Sequence, residues 1–167
     1  WLELFYDLVY VATVVALGDK LSHELTTEGA ASFFVLFVPV WWMWTGMAFY
    51  VTRFALDDVG HRLLVFAQMF AVAVLAIHIH DGLGETSAGF ALAYAASRAI
   101  LVLMYLRAGR QRPEAHELTR RYASGFSLAA LIWLISAFTP EPVRYALWAA
   151  GLVVDFGTPL LPSTRRL

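Results

Sequence analysis

Long runs of apolar residues, separated by short polar spacers, dominate the pattern of this chain. Six such runs can be marked, and most of them hold one charged side chain or none. Each is close to the roughly 20 residues that a helix needs to cross the hydrocarbon core of a bilayer. Because lipid does not tolerate unpaired backbone groups, these runs predict helices and not strands. The predicted helices cover residues 2–21, 30–54, 63–79, 87–106, 122–138 and 143–161.

Composition separates this chain from ordinary soluble domains. Hydrophobic residues make up 60% of it, charged residues only 15%, and the mean hydropathy is +0.64, whereas about a quarter of an average soluble domain is charged. A soluble helical fold is the alternative, but six apolar helices leave too little polar surface to face water. The predicted fold class is therefore all-α: a polytopic membrane protein whose bundle of about six transmembrane helices forms one domain over residues 1–167.

Net charge and residue types narrow the range of functions. A formal net charge of −1 at pH 7 provides no basic surface, so no nucleic-acid partner is expected. The absence of cysteine excludes disulfides, thiolate metal ligands and cysteine nucleophiles. No phosphate-binding glycine loop, zinc-protease motif or serine nucleophile motif occurs, and the spacers are too short for a catalytic domain. We therefore predict that the chain is not an enzyme and holds no cofactor.

Basic residues are distributed unevenly among the spacers. Lys20 and Arg144 lie near the helix ends on one side. All the other basic residues except Arg98, which is within a helix, lie near the helix ends or in the spacers on the opposite side: Arg53, Arg62, Arg107, Arg110, Arg112, Arg120, Arg121, Arg165 and Arg166. Positive charge in short loops marks the cytoplasmic side. Both ends of this chain are therefore predicted to be cytoplasmic, in a multi-pass protein of the cell membrane whose main partner is the lipid bilayer. The stretch 107–121 is interpreted as a topology signal, with binding of anionic lipid headgroups as the alternative.

Several charged residues lie within or beside the predicted helices, where charge is energetically expensive, and five of them stand out. They form the candidate site, an intramembrane charged cluster of Glu3, Asp7, Arg53, Arg98 and Asp155. Intramembrane charges generally face the interior of a bundle, where they pair with one another or mark an ion or proton path. At 1.5 Å per residue, Arg98 is expected about 13 Å from the cytoplasmic end of the fourth helix.

Glu3 and Asp7 are four residues apart and so share one helix face. Two carboxyl groups near an arginine can pair with it, share a proton or hold a cation. The alternative is structural: Arg98 pairs with Asp7 or Asp155 across the bundle, and the pair only holds helices together. For Asp155, simple solvation near the cytoplasmic interface is a further alternative.

Two other groups of side chains carry weaker signals. His78, His80 and Asp81 resemble a metal-ligand set, but residues two apart lie on opposite sides of a helix. We interpret them as the outer end of the third helix and predict no metal site. Three tryptophans lie deep in the second helix: Trp41, Trp42 and Trp44. Helix packing is the simplest interpretation, and an aromatic-lined cavity is the alternative.

The chain opens with WLELFYDLVYV, residues 1–11. Later it contains TRF at 52–54, DD at 57–58, HRLL at 61–64, AQM at 67–69, ALAY at 91–94 followed by Arg98, and Trp148, Asp155 and GTPL at 157–160. Together these motifs resemble the low temperature requirement A family, whose members typically begin their first helix with E-L-F-F-D-L-V-F-V. Here Tyr6 and Tyr10 replace two phenylalanines. The similarity covers nearly the whole chain.

The resemblance implies a longer multi-pass protein of the bacterial inner membrane. These residues would form its N-terminal half, and the C-terminal half of the same chain would be a partner of this domain. Glu3, Asp7, Arg53, Arg98 and Asp155 match the charged pattern of the family. The resemblance does not imply a reaction, a substrate or a cofactor.

The leading hypothesis is membrane transport or permeation linked to a proton or a small cation. The alternative is a non-transporting membrane component that supports envelope function or complex assembly in the cold. An intramembrane enzyme is a third class, which a lipid-sized groove beside the charges would favour. Charges that line a wet cavity favour transport, whereas the same charges closed into dry pairs favour the non-transporting component.

Overall fold

The structure, a computed structural model, describes residues 2–54 and 58–160. Within these ranges it contains no strand and six α-helices: α1 Leu2–His23, α2 Thr27–Arg53, α3 Val59–His78, α4 Ser87–Gln111, α5 His116–Ala137 and α6 Val143–Leu160. A short 3-10 turn, Pro113–Ala115, connects α4 to α5. Several predictions rest on residues that lie outside the described ranges: Trp1, Asp57, Leu161, Arg165 and Arg166.

Each predicted helix is present, and two of them extend at one end by five residues or more beyond their apolar runs. α4 continues to Gln111, past its predicted end at residue 106, and α5 begins at His116, before its predicted start at residue 122. The added turns are mostly polar, so the apolar pattern does not include them. Neither contains a proline, and Pro113 lies in the connection between the two helices. Arg98 therefore lies roughly 20 Å from the C-terminal end of α4, near the middle of the helix, and not about 13 Å from it.

Side-chain caps begin two of the helices. At the start of α2, Thr26 accepts a hydrogen bond from the backbone N–H of Gly29 at 3.0 Å. At the start of α3, Asp58 accepts one from the backbone N–H of His61 at 2.8 Å. Such caps pair backbone donors that the first turn of a helix leaves unsatisfied. They explain why the helices begin at these residues, ahead of the apolar runs.

Consecutive helices run antiparallel, and α4 lies at the centre of the bundle. It packs against α5, α3 and α2, while α6 packs against α5, and α1 packs against α2 and α3. Contacts at one end show the directions of the helices. Lys20, near the end of α1, donates to the carbonyl oxygen of His80 beyond α3 at 2.6 Å, and Arg144, near the start of α6, donates to Ser87 at the start of α4.

The exterior of the bundle is apolar. Three helices, α2, α3 and α4, are long and apolar enough to cross a membrane by length and composition. Large hydrophobic side chains point outward along the bundle, among them Phe34, Phe70, Ile77, Leu128 and Val153. Soluble monomers rarely expose apolar patches of this extent. This surface is that of a protein whose outer face contacts lipid.

Candidate functional site

Arg98 is the centre of a buried network that joins α4 to α6. Its side chain is fully buried, and its Nε atom lies 3.3 Å from Oδ2 of Asp155, which is also fully buried. Tyr94 lies one helical turn before Arg98 on α4. Its hydroxyl donates to Oδ2 of Asp155 at 2.7 Å and accepts a hydrogen bond from Nη2 of Arg98 at 2.8 Å. Arg98 and Asp155 thus form an ion pair that the hydroxyl of Tyr94 bridges.

Side chains from other helices surround the guanidinium of Arg98. Its Cζ atom lies 5.4 Å from the ring centroid of Phe126 on α5. On α2, a Cβ atom at position 46 would lie 2.7 Å from Nη1 of Arg98, so the guanidinium fits because residue 46 is glycine. Tyr6 of α1 lies within electrostatic range of it. With α4 itself and Asp155 of α6, four of the helices therefore meet at this arginine, and Tyr6 brings a fifth, α1, near it.

The burial of Arg98 determines its energetic role. An unpaired arginine in the middle of a membrane helix costs at least ~2.5–3.5 kcal/mol, and a buried carboxylate with additional hydrogen bonds offsets much of that cost. The compensation is incomplete, because Nη1 of Arg98 and Oδ1 of Asp155 have no hydrogen-bond partner among the described residues. The pair holds α4 and α6 in one relative position. Since Asp155 is fully buried, the solvated alternative for this residue is wrong.

Glu3 and Asp7 lie apart from this network, on the outer surface between α1 and α2. They line a groove with a volume of about 170 Å³. We call it the acidic groove and define it by six of its lining residues: Glu3, Tyr6, Asp7, Trp44, Met47 and Val51. Because α1 supplies the two carboxyl groups and α2 supplies most of the apolar wall, the groove is amphipathic.

Trp44 positions one of the two carboxyl groups. Its Nε1 atom donates to Oδ1 of Asp7 at 2.8 Å, and the ring of Tyr10 stacks on its own ring with centroids 5.6 Å apart. Within the part of the chain that the structure describes, no lysine or arginine lies within ion-pair distance of Glu3 or Asp7. The acidic groove therefore carries two carboxyl groups whose charge no basic side chain of residues 2–54 and 58–160 balances.

Arg53 occupies a third position, at the C-terminal end of α2. Its Cζ atom lies 5.0 Å from the ring centroid of Tyr122 and 5.8 Å from that of Phe49. These contacts are cation–π interactions, in which the face of the ring attracts the cation. Of the five predicted residues, all of which the structure describes, an ion pair joins only Arg98 and Asp155. The five divide into the buried Arg98–Asp155 pair, the acidic groove with Glu3 and Asp7, and Arg53 on its aromatic rings.

Several residues of these sites were not predicted as site residues, among them Tyr94, Trp44 and Gly46. Tyr94 had a signal, since a residue one turn before Arg98 shares its helix face. Trp44 was predicted only as a packing or cavity residue. In the structure its indole N–H donates a hydrogen bond to Asp7. The role of Gly46 had no local signal. Its contact with Arg98 depends on how α2 and α4 are rotated about their axes, which one sequence does not determine.

A further polar cluster joins α3 to α4 at the same end of the bundle as Arg53. Oδ1 of Asp58 accepts a hydrogen bond from Nη2 of Arg107 at 2.6 Å, and Oδ2 accepts one from Nε2 of Gln111 at 3.1 Å. The backbone N–H of His61, the side chain of Gln111 and the charge of Arg107 together lower the pKa of Asp58 to about 2. Asp58 is therefore ionised at neutral pH and fixes the start of α3 against the end of α4.

The histidines at the end of α3 do not converge with Asp81 into a ligand set. The Nδ1 atom of His78 lies 2.7 Å from the carbonyl oxygen of Val74 on its own helix. Over residues 2–54 and 58–160, no group of three or more histidine, aspartate or glutamate side chains is arranged to hold a metal ion. The candidate chemistry of this chain therefore lies in the acidic groove and in the Arg98 network.

An all-helical bundle with an apolar exterior and a buried ion pair between its helices defines a helical membrane protein. The chain belongs to the bacterial low temperature requirement A protein family (LtrA), whose sequence profile matches residues 1–167. It is similar to an uncharacterized protein of Rhizobium meliloti (strain 1021), with 28% identity over 158 residues that cover 94% of this chain. The matched region spans 39% of the length of that relative. No solved structure shows significant similarity.

Proposed function

We propose that this chain is a membrane domain of a proton- or cation-linked transport or permeation system, and that the acidic groove is where the ion binds. The observation that carries the proposal is the pair of carboxyl groups of Glu3 and Asp7. Both line the groove, and no basic side chain among the described residues pairs with either. Carboxyl groups at membrane depth are costly, and they commonly mark ion or proton pathways.

Asp7 could instead have been the ion-pair partner of Arg98, but Asp155 is that partner. Asp155 supplies the charge that Arg98 needs, at 3.3 Å, and Tyr94 bridges the two. Asp7 is therefore not required to neutralise the bundle interior. Its position on the face that it shares with Glu3 is consistent with a mobile counter-ion, either a proton that the two groups share or a cation that they bind.

A second candidate function rests on the same network. The Arg98–Tyr94–Asp155 contacts form a closed, buried set, which is the arrangement expected of a rigid membrane component that transports nothing. Such a component would support envelope function or the assembly of a complex. In that case Glu3 and Asp7 would only be hydrated or would contact headgroups near the membrane surface.

Flux measurements on the full-length polypeptide in liposomes distinguish the two functions. The vesicles are loaded with a pH-sensitive or a cation-sensitive dye, and H⁺, Na⁺ and K⁺ are tested in turn. We expect wild-type protein to conduct at least one of them and Asp7→Asn to lower that flux by about tenfold or more, the effect of losing ~1.4 kcal/mol of ion binding. Glu85→Gln, an exposed carboxyl group between α3 and α4, serves as the matched control and retains the flux.

Two results would count against transport. Wild-type vesicles no more permeable than protein-free vesicles to any of the three ions would favour the rigid component. So would equal losses of flux in Asp7→Asn and Glu85→Gln, because the effect would then not be specific to the groove.

The proposal includes six membrane crossings with both ends of the chain in the cytoplasm, as the distribution of arginine residues indicates. Single cysteines in a cysteine-free background test this at four exposed positions: Glu24, Glu85, Glu114 and Glu141. A membrane-impermeant thiol reagent applied to intact cells should label every position except Glu114. Labelling at Glu114 but not at Glu85 would reverse the orientation, and the same accessibility at both would contradict a crossing by α4.

A further inference from the structure

The acidic groove combines carboxyl groups with aromatic and apolar walls. Glu3 and Asp7 lie on one face of α1, and Trp44, Met47 and Val51 of α2 lie opposite. A binding site for a bare metal ion is normally lined by oxygen ligands, with six to eight around Ca²⁺ and near-octahedral geometry around Mg²⁺. Much of this groove consists instead of aromatic rings and aliphatic side chains, which cannot coordinate such an ion.

Tyr6 supplies a second and independent observation. Its side chain lines the inner wall of the groove and is 3% exposed. Its hydroxyl has no hydrogen-bond partner among the described residues, and a buried polar group without a partner is unfavourable. A side chain with an unpaired hydroxyl group therefore forms part of the inner wall of a groove that also carries two carboxyl groups.

Charge and size narrow the class of ligand. Arg98 lies within electrostatic range of Tyr6, but its charge is balanced by Asp155, so it does not cancel the negative charge of Glu3 and Asp7. The groove volume of about 170 Å³ is below the roughly 300–1,000 Å³ that is usual for drug-sized ligands and far above the space of one water molecule. A small cation that carries methyl groups matches this volume.

Aromatic side chains favour the same class. Trp44 is held in place by its hydrogen bond to Asp7 and by the stacked ring of Tyr10, so one wall of the groove is a preoriented indole. Ammonium ions bind the faces of aromatic rings, and tryptophan is the best of them. Carboxyl groups beside an aromatic ring therefore favour a cation that also carries apolar groups.

We propose that the acidic groove binds a small organic ammonium ion, with Glu3 and Asp7 balancing its charge and Trp44 and Tyr6 contacting its methyl or methylene groups. The assignment rests on the proposed function, because it names the class of cation that the transport site takes. It predicts that alkylammonium ions bind the groove more tightly than Na⁺ or K⁺ does.

Equilibrium binding of radiolabelled tetramethylammonium and methylammonium to the full-length polypeptide in lipid nanodiscs tests this. We expect saturable binding that excess unlabelled alkylammonium displaces and that equal concentrations of Na⁺ or K⁺ do not. Glu3→Gln and Asp7→Asn should each weaken binding about tenfold. Trp44→Leu should weaken it similarly, whereas Trp44→Phe, which keeps a ring, should retain most of the affinity. Glu85→Gln should bind like the wild type.

The outcomes separate this inference from the proposed function. Binding of Na⁺ or K⁺ that Asp7→Asn abolishes, with no alkylammonium binding, would overturn the ligand class and leave ion transport standing. Equal affinities of Trp44→Leu and Trp44→Phe, in variants with wild-type melting temperatures, would also overturn it. Absence of any cation binding that depends on Glu3 or Asp7 would contradict the inference and the proposed function together.

Discussion

Nε of Arg98 lies 3.3 Å from Oδ2 of Asp155, and this contact connects two helices that are separated along the chain by all of α5. The hydroxyl of Tyr94 bonds both partners. Because neither charged side chain reaches the surface, the two depend on each other. Loss of either one leaves a buried charge without its counter-charge, and this is more unfavourable than loss of the whole pair.

Arg98→Leu should therefore destabilise the protein by about 3–5 kcal/mol. The double variant Arg98→Leu/Asp155→Leu should recover a large part of that loss, since a buried pair replaced by apolar side chains is often neutral or stabilising. Unfolding of the purified variants in detergent, arranged as a double-mutant cycle, measures the coupling. Strictly additive losses from the two single changes would contradict a direct interaction between these residues.

Gly46 provides a test of the packing around the same guanidinium. A Cβ atom at this position would lie 2.7 Å from Nη1 of Arg98 and 3.1 Å from Cδ2 of Leu101. Gly46→Ala should destabilise the protein by about 1–3 kcal/mol, because overpacking forces its neighbours to move. Gly18 in α1 is the matched control, since a Cβ there meets nothing within 4 Å. Gly18→Ala should be neutral or stabilising by about 0.5–1 kcal/mol. Two variants with the same melting temperature would contradict the close approach of α2 and α4.

Asp58 should make stability depend on pH in the acid range. Hydrogen bonds from the backbone of His61 and from Gln111, with the charge of Arg107, lower its pKa from 3.8 to about 2 in the folded protein. A lowered pKa stabilises the folded state fully above the unfolded value, so this contribution is lost as pH falls from 3.8 toward 2. Thermal unfolding at a series of pH values should show a smaller decline for Asp58→Asn than for the wild type. Parallel curves for the two proteins would show that Asp58 has no such role.

Much of the fold could be predicted from the sequence, because apolar runs of membrane length allow few alternatives to helices. The ends of α4 and α5 could not, since their last and first turns are polar and extend beyond the apolar pattern. The caps at Thr26 and Asp58 could have been predicted from their residue types, since threonine and aspartate are common N-cap residues. The apolar pattern alone does not reveal them.

The candidate site was predictable only in part. The sequence limits the partners of Arg98 to Asp7 or Asp155, and the structure shows Asp155. Choosing between them requires the rotation of each helix about its own axis, which the spacing of residues along the chain does not provide. For the same reason the hydrogen bond from Trp44 to Asp7 could not be predicted from spacing along either helix.

We propose that two aspartates of the helical bundle have different tasks: Asp155 stabilises the bundle, and Asp7 remains available to a ligand. The melting temperatures of Asp7→Asn and Asp155→Asn, measured in the same nanodiscs without added organic cation, test it directly. Asp155→Asn leaves Arg98 charged and unpaired, so its melting temperature should fall by roughly 6 °C or more. Asp7→Asn keeps an oxygen that accepts from Trp44 and lies on the outer surface, so it should change by less than about 2 °C. Equal losses in the two variants, or a larger loss in Asp7→Asn, would contradict the account and assign Asp7 to the rigid framework.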